Sequence, residues 1–163
     1  MKIFINILIC FSLLLASTIN AKEMLAPYHA GDWKKISQQY SNQPVVIHFW
    51  GVSCPPCIKE LPQWGKFLTK DQGVKSIFVQ IDNASTENVL RRIKSAKIEK
   101  FDNFYLDGNF DEFIYYEVDK DWHGEIPMTI MIGKNGQRQR VLGSMDFKDL
   151  NRWLAKQIGR AHV

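Results

Sequence analysis

Two cysteines stand three residues apart in Cys54-Pro55-Pro56-Cys57. A C-x-x-C pair placed where a strand turns into a helix is suited to thiol–disulfide exchange. The helix N-terminus supplies free amides and a partial positive charge, and both stabilise a thiolate. Cys54, at that mouth, is expected to be the exposed nucleophile. Cys57, in the first turn, is close enough to bond back to it and is expected to be more buried. Two other chemistries use paired thiols. A zinc site needs two further ligands, and the candidates His29, His48 and His123 have no ligand spacing relative to one another. Soft sulfur also suits Cu(I), although no Met- or His-rich segment adjoins the pair. Neither a metal nor a cofactor is expected.

The elements that carry the pair follow from hydrophobic period and turn residues. Asp32 caps a short helix with Trp33, Ile36 and Tyr40 at helical spacing. Val45 to Trp50 is an apolar, β-branched run and reads as a buried strand. Gly51 to Pro55 is a turn, and a helix starts near Pro56, where proline suits the first position. Pro62 should kink that helix, and Gly73 closes it. Val74 to Asp82 is a second strand. Ser85 or Thr86 caps a helix through Lys97, with Val89, Leu90, Ile93 and Ala96 on one face. Its other face carries Arg91, Arg92, Lys94 and Lys97, which suit solvent, an acidic partner or a lipid surface. Asn103 to Leu106 is a third strand, and Asp111 to Val118 a short helix. Met128 to Ile132 and Gln139 to Leu142 form a hairpin about Asn135-Gly136. Asp146 caps a final helix. Lys22 to His29 reads as a loose lead-in. The order is that of an α/β fold with a mixed central sheet and helices on both faces.

Composition limits the function. The 163 residues are 45% hydrophobic and 23% charged, the balance of one globular domain. A net charge of +4 is too mild and too scattered for a nucleic-acid binder. Lys2 followed by the uncharged run Ile3 to Ala16 makes residues 1–21 a secretory signal peptide cleaved after Ala21, or an uncleaved anchor. Cys10 lies inside that run. Residues 158–163 are set aside as a non-native tail, which leaves 22–157 as the domain. Cys54 and Cys57 are the cysteines of that domain, so an exported chain of this kind has no structural disulfide elsewhere.

Ile126-Pro127 lies just before the hairpin strand, where a cis proline could sit opposite the cysteines. With this order and spacing the chain resembles the thioredoxin superfamily, and within it the exported TlpA/ResA/CcmG (DsbE)-like proteins. The most specific stretch runs from Phe49-Trp50-Gly51 through Cys54-Pro55-Pro56-Cys57 to Glu60 and Pro62. Asp102 to Trp122 resembles the strand-helix insert of that branch. The resemblance implies a thioredoxin-like sheet, a closing β-hairpin and helix, and a redox-active Cys54–Cys57 pair. It also implies that Glu60 tunes the thiols or recognises partners, against the plainer reading of a solvated helix charge. Three departures stand out. Ser53 replaces a usual Trp, Gly124 and Pro127 are one residue further apart than usual, and His48 occupies the position of a buried acid or Asn.

On a two-residue period His48 shares a face with Val46 and Trp50 and points beneath the cysteine turn. It is either a base for deprotonating Cys57 or a hydrogen-bonded core group. Pro127 is expected to hold substrate backbone beside the sulfur, with Trp50 and Ile126 lining the contact. Pro55 and Pro56 both lack an N–H, which leaves chiefly the Cys57 amide for Cys54. That favours a reductase over a disulfide-donating oxidase; a Cu(I)-binding thiol module is the other alternative. Expected partners are disulfide-bearing exported proteins, among them apocytochrome c, and a membrane electron-donor protein. Expected localisation is periplasmic, with the membrane touched only through an uncleaved N-terminal segment.

Overall fold

The computed structural model describes residues 24–40, 42–70 and 74–159. The expected signal peptide or anchor, Cys10, Gly73 and the tail beyond Gly159 lie outside them. Six strands form one sheet: β1 (Ala26–Tyr28), β2 (Val45–Trp50), β3 (Lys75–Gln80), β4 (Asp102–Leu106), β5 (Met128–Ile132) and β6 (Arg138–Leu142). Their spatial order is β1-β4-β3-β2-β5-β6. β2, β3, β4 and β1 are mutually parallel, whereas β5 and β6 are antiparallel. Five helices surround the sheet: α1 (Asp32–Gln39), α2 (Pro55–Leu68), α3 (Thr86–Ala96), α4 (Glu112–Val118) and α5 (Phe147–Ile158). This is the expected thioredoxin-like mixed sheet with its strand-helix insert, β4 and α4.

Alternation along β2 sorts the core. Val45, Ile47 and Phe49 enter one cluster with Trp33 and Ile36 of α1 and Ile114 and Val118 of α4. Val46 and Trp50 enter the other, with both cysteines and residues of α2, α3 and α5. All six residues of β2 are buried, as a central strand covered on both faces must be. Ser85 and Asp146 are the N-caps of α3 and α5, each accepting an amide hydrogen bond on its side chain.

One expectation changes. The lead-in is not loose: Ala26–Tyr28 adds an edge strand to β4, with Ala26 opposite Phe104. The anchoring group is Tyr28, fully buried, whose hydroxyl donates to Glu117 at 3.1 Å. Pro62 lies within α2, and the helix runs on to Leu68. α5 runs to Ile158, with Gly159 as its left-handed cap.

Candidate active site

Cys54 is the N-cap of α2, with Pro55 and Pro56 in the first two helical positions. Those positions have no intrahelical amide partner, so proline costs nothing there. The Cys57 amide is thus the one that reaches the sulfur, donating to Cys54 Sγ at 3.3 Å. The two sulfurs are bonded, with Cα atoms 5.3 Å apart. Cys57 is fully buried and Cys54 is 9% exposed. The order of accessibility is the expected one, but Cys54 meets solvent through a narrow window.

The turn before Cys54 is braced by a residue that sequence reasoning missed. Asp82 follows the end of β3, beside the end of β2, and its carboxylate accepts from Ser53 N and Ser53 Oγ at 2.6 Å each. Gln80 Nε2 donates to both its carbonyl and its carboxylate. Partial burial works to raise the Asp82 carboxyl, but bonds from Ser53, the Val52 amide and Gln80 outweigh it and hold the group below the ordinary carboxylate range. The available signal was positional, since an acid just beyond a parallel strand's C-terminal end lies where such sheets build their sites. Gly51 is required by this closeness. A Cβ there would lie 2.8 Å from Ile126 Cδ1 and 2.9 Å from Asp82 Oδ2.

The Ile126–Pro127 peptide is cis, and the Ile126 carbonyl oxygen lies 3.7 Å from Cys54 Sγ. The loop is tied on both sides. Trp122 Nε1 donates to Glu125 O at 2.8 Å, and Gly143 N donates to Pro127 O at 2.8 Å. Pro127 is buried and Ile126 half-buried. Trp50 departs from expectation. It is fully buried in the cluster with both cysteines, so it supports the turn from below and does not line a contact surface.

Glu60 is buried as well, which removes the solvated-charge reading. Its Oε1 accepts from Trp64 Nε1 at 2.9 Å and from the Met145 amide at 3.0 Å. Burial raises its pKa, and the bonds from Met145, Trp64 and Ser144 oppose that without cancelling it. It sits one helical turn beyond Cys57, on the same face.

His48 takes the other course. Its Nδ1 lies 3.0 Å from Thr129 Oγ1, and its ring packs on Trp64 and Phe78 with centroids 5.0 and 6.0 Å away. Burial pushes its pKa down to about 3. The imidazole is therefore neutral near pH 7 and a poor proton acceptor, so the reading as a base for Cys57 is corrected to that of a core group joining β2 to β5. His29, another sequence candidate, instead contacts Asp107 at 3.1 Å. Among the described residues no group of three or more His, Cys, Asp or Glu side chains is arranged to hold a metal.

A family model described as Redoxin matches residues 29–142, which include both cysteines, Glu60, Asp82 and Pro127. The chain belongs to the Redoxin family. This Redoxin chain is 27% identical over 125 residues to thiol-disulfide oxidoreductase ResA of Geobacillus kaustophilus (strain HTA426), a match covering 71% of it and 63% of ResA. It is 28% identical over 123 residues to sporulation thiol-disulfide oxidoreductase A of Bacillus subtilis (strain 168), covering 72% of it and 70% of that protein. The chain thus spans less than two thirds of the ResA relative's length. Its fold matches the solved structure of MTB dsbF in mixed oxidised and reduced forms, with a TM-score of 0.60 at 18% identity, over 74% of this chain and 84% of that one. Within the superfamily this Redoxin chain is of the TlpA/ResA/DsbE-like type.

Proposed function

We propose that this Redoxin-family protein is a thiol:disulfide oxidoreductase that works outside the cytoplasm as a reductase. The observation that carries the reading is the Cys54–Cys57 pair at the start of α2, with one amide, that of Cys57, on Cys54 Sγ. In the reduced form the Cys54 thiolate attacks one sulfur of a partner's disulfide. A mixed disulfide forms and the partner's other sulfur leaves as a thiolate. Cys57 then loses its proton and attacks Cys54 Sγ, which closes Cys54–Cys57 and releases the partner's second thiolate. Two electrons pass from the pair to the partner, and a membrane dithiol donor returns them.

Three features support particular roles. The Ile126 carbonyl beside the sulfur offers a partner's backbone an acceptor, and Pro127 shapes that loop. Glu60, with its raised pKa and its place one turn beyond Cys57, is the group suited to take the Cys57 proton. Strong oxidants depend on a stabilised thiolate, and a single amide donor gives little such stabilisation. Disulfide-bearing exported proteins, apocytochrome c among them, are the partners that fit, with residues 1–21 directing export or anchoring the chain.

Equilibration with a glutathione buffer tests direction. The expected potential lies near the ~ −270 mV of thioredoxin, and a value near ~ −120 mV would make the protein an oxidase. Cys57→Ala should accumulate mixed disulfides whose partner identifies the substrate, and Cys54→Ser should form none. Faster alkylation of Cys57 than of Cys54 in the reduced protein would reverse the two roles.

A further inference from the structure

The charge of this chain is divided between the two ends of its sheet. β2, β3 and β4 are parallel and Cys54 follows β2, so the cysteines mark one end and the strand starts mark the other. α2 and α3 both leave the cysteine end and finish at the far end. Their last turns and the residues that follow carry Lys66, Lys70, Lys94, Lys97 and Lys100, all exposed. Glu99 and, in the sequence, Asp71 are the acids interspersed among them. Lys66 and Lys97 line one groove, because the two helices meet at Gly65. A Cβ on Gly65 would fall 1.8 Å from the Ala96 carbonyl oxygen. Among the described residues no ion pair engages Lys66, Lys94 or Lys97. Residues 107–125, which leave β4 at the cysteine end and return as the Pro127 loop, hold seven acidic residues and one lysine.

The chain's path adds a second, independent observation. β1 runs parallel to β4, with Ala26 opposite Phe104 in the middle of that strand, so the chain enters it from the lysine side. Leu25 packs in the cluster that holds Ile93, Ala96 and Ile98. Met24 and Leu25 therefore lie on the lysine side of β1. In sequence, the uncharged run Ile3 to Ala16 ends close before Ala26, and the nine residues between span at most about 30 Å.

We propose that the lysine-bearing ends of α2 and α3 seat on an anionic phospholipid surface, so that Cys54, Cys57 and Pro127 face away from the bilayer. Lysines are compact point charges on long stems, suited to a diffuse negative plane more than to a single carboxylate. Six-residue strands span about 20 Å, beyond the screening length of ~8 Å at physiological salt. The cysteine end is thus clear of the lipid field while the lysine end feels it. This orientation does not depend on the direction of electron flow.

The test uses the full-length chain in phosphatidylcholine vesicles, with and without phosphatidylglycerol. Lysines are acylated with a water-soluble reagent and read by mass spectrometry. Acylation of Lys66, Lys70, Lys94, Lys97 and Lys100 should slow about fivefold on the anionic vesicles, with Lys59, exposed in α2 two residues after Cys57, unchanged. High salt should restore labelling. A variant carrying K66E, K94E, K97E and K100E should keep its disulfide-exchange rate yet lose protection at Lys70. Equal labelling on both vesicle types would overturn the proposal. So would protection that survives high salt or charge reversal, since tethering alone would then account for it.

Discussion

Glu60 tests how the buried carboxylate beneath the disulfide is held. Glu60→Ala removes the acceptor of two buried donors, Trp64 Nε1 and the Met145 amide. Each orphaned donor costs about 1–3 kcal/mol, so this variant should lose about 3–5 kcal/mol, the removed volume adding to the lower figure. Glu60→Gln keeps a carbonyl acceptor for both donors and removes the charge that burial penalises. Its stability should differ from wild type with a definite sign. The folded pKa lies above the ordinary carboxyl value of 4.5, so between those two values the native state binds more protons than the unfolded one. Wild-type stability therefore falls as pH rises through that window, and Glu60→Gln does not follow it. The variant should match wild type at about pH 4 and exceed it increasingly as pH rises above the ordinary carboxyl range. Guanidinium unfolding of the oxidised proteins at several pH values measures this. Equal losses in Gln and Ala, or a Gln variant whose disadvantage grows with pH, would refute the reasoning. Stopped-flow resolution of the mixed disulfide in the same variant adds a kinetic check, since removal of a proton acceptor should slow that step and spare the first attack.

His48 should act in the opposite sense. Its folded pKa of about 3 lies below the ordinary 6.5, so the unfolded state binds the extra proton, and His48 makes stability fall as pH drops through that interval. His48→Phe should flatten this acid limb in denaturation curves; an unchanged limb would mean that the imidazole is not held neutral. Gly65→Ala places a Cβ against the Ala96 carbonyl and should cost about 3 kcal/mol or more, because backbone must move. A thermal melt within a degree or two of wild type would show that α2 and α3 separate easily.

Much of this architecture is written locally. Val45 to Trp50 is legible because a strand buried on both faces must be apolar throughout, and the Pro-Pro pair marks a helix start since proline is tolerated there. The face of each β2 residue follows from strand period alone, which placed His48 under the turn. What period cannot give is depth. Trp50 and His48 sit on the expected face, but residues of α2, α5 and β5 cover them, and that cover converts a contact residue into core and a candidate base into a neutral ring. Ala26-Pro27-Tyr28 escaped notice because three residues with a central proline show no alternation. They become a strand through pairing with β4 and through Tyr28's bond to Glu117. Asp82 and Ser53 lie 29 residues apart in sequence, and their bond exists because β2 and β3 are adjacent.

The register of β2 against β5 has a mechanical consequence. Phe49 lies opposite Met128, so the cysteine turn and the Ile126–Pro127 loop are continuations of two neighbouring strands. Their separation is inherited from the ladder spacing of about 4.8 Å, not from the conformation of either loop. The slot beside Cys54 is therefore set by the sheet, and its width should hold when the sulfurs gain or lose their bond. On the proposed reading a partner should pass it by thickness, a single extended stretch of chain entering more readily than a disulfide embedded in a helix or a closed core.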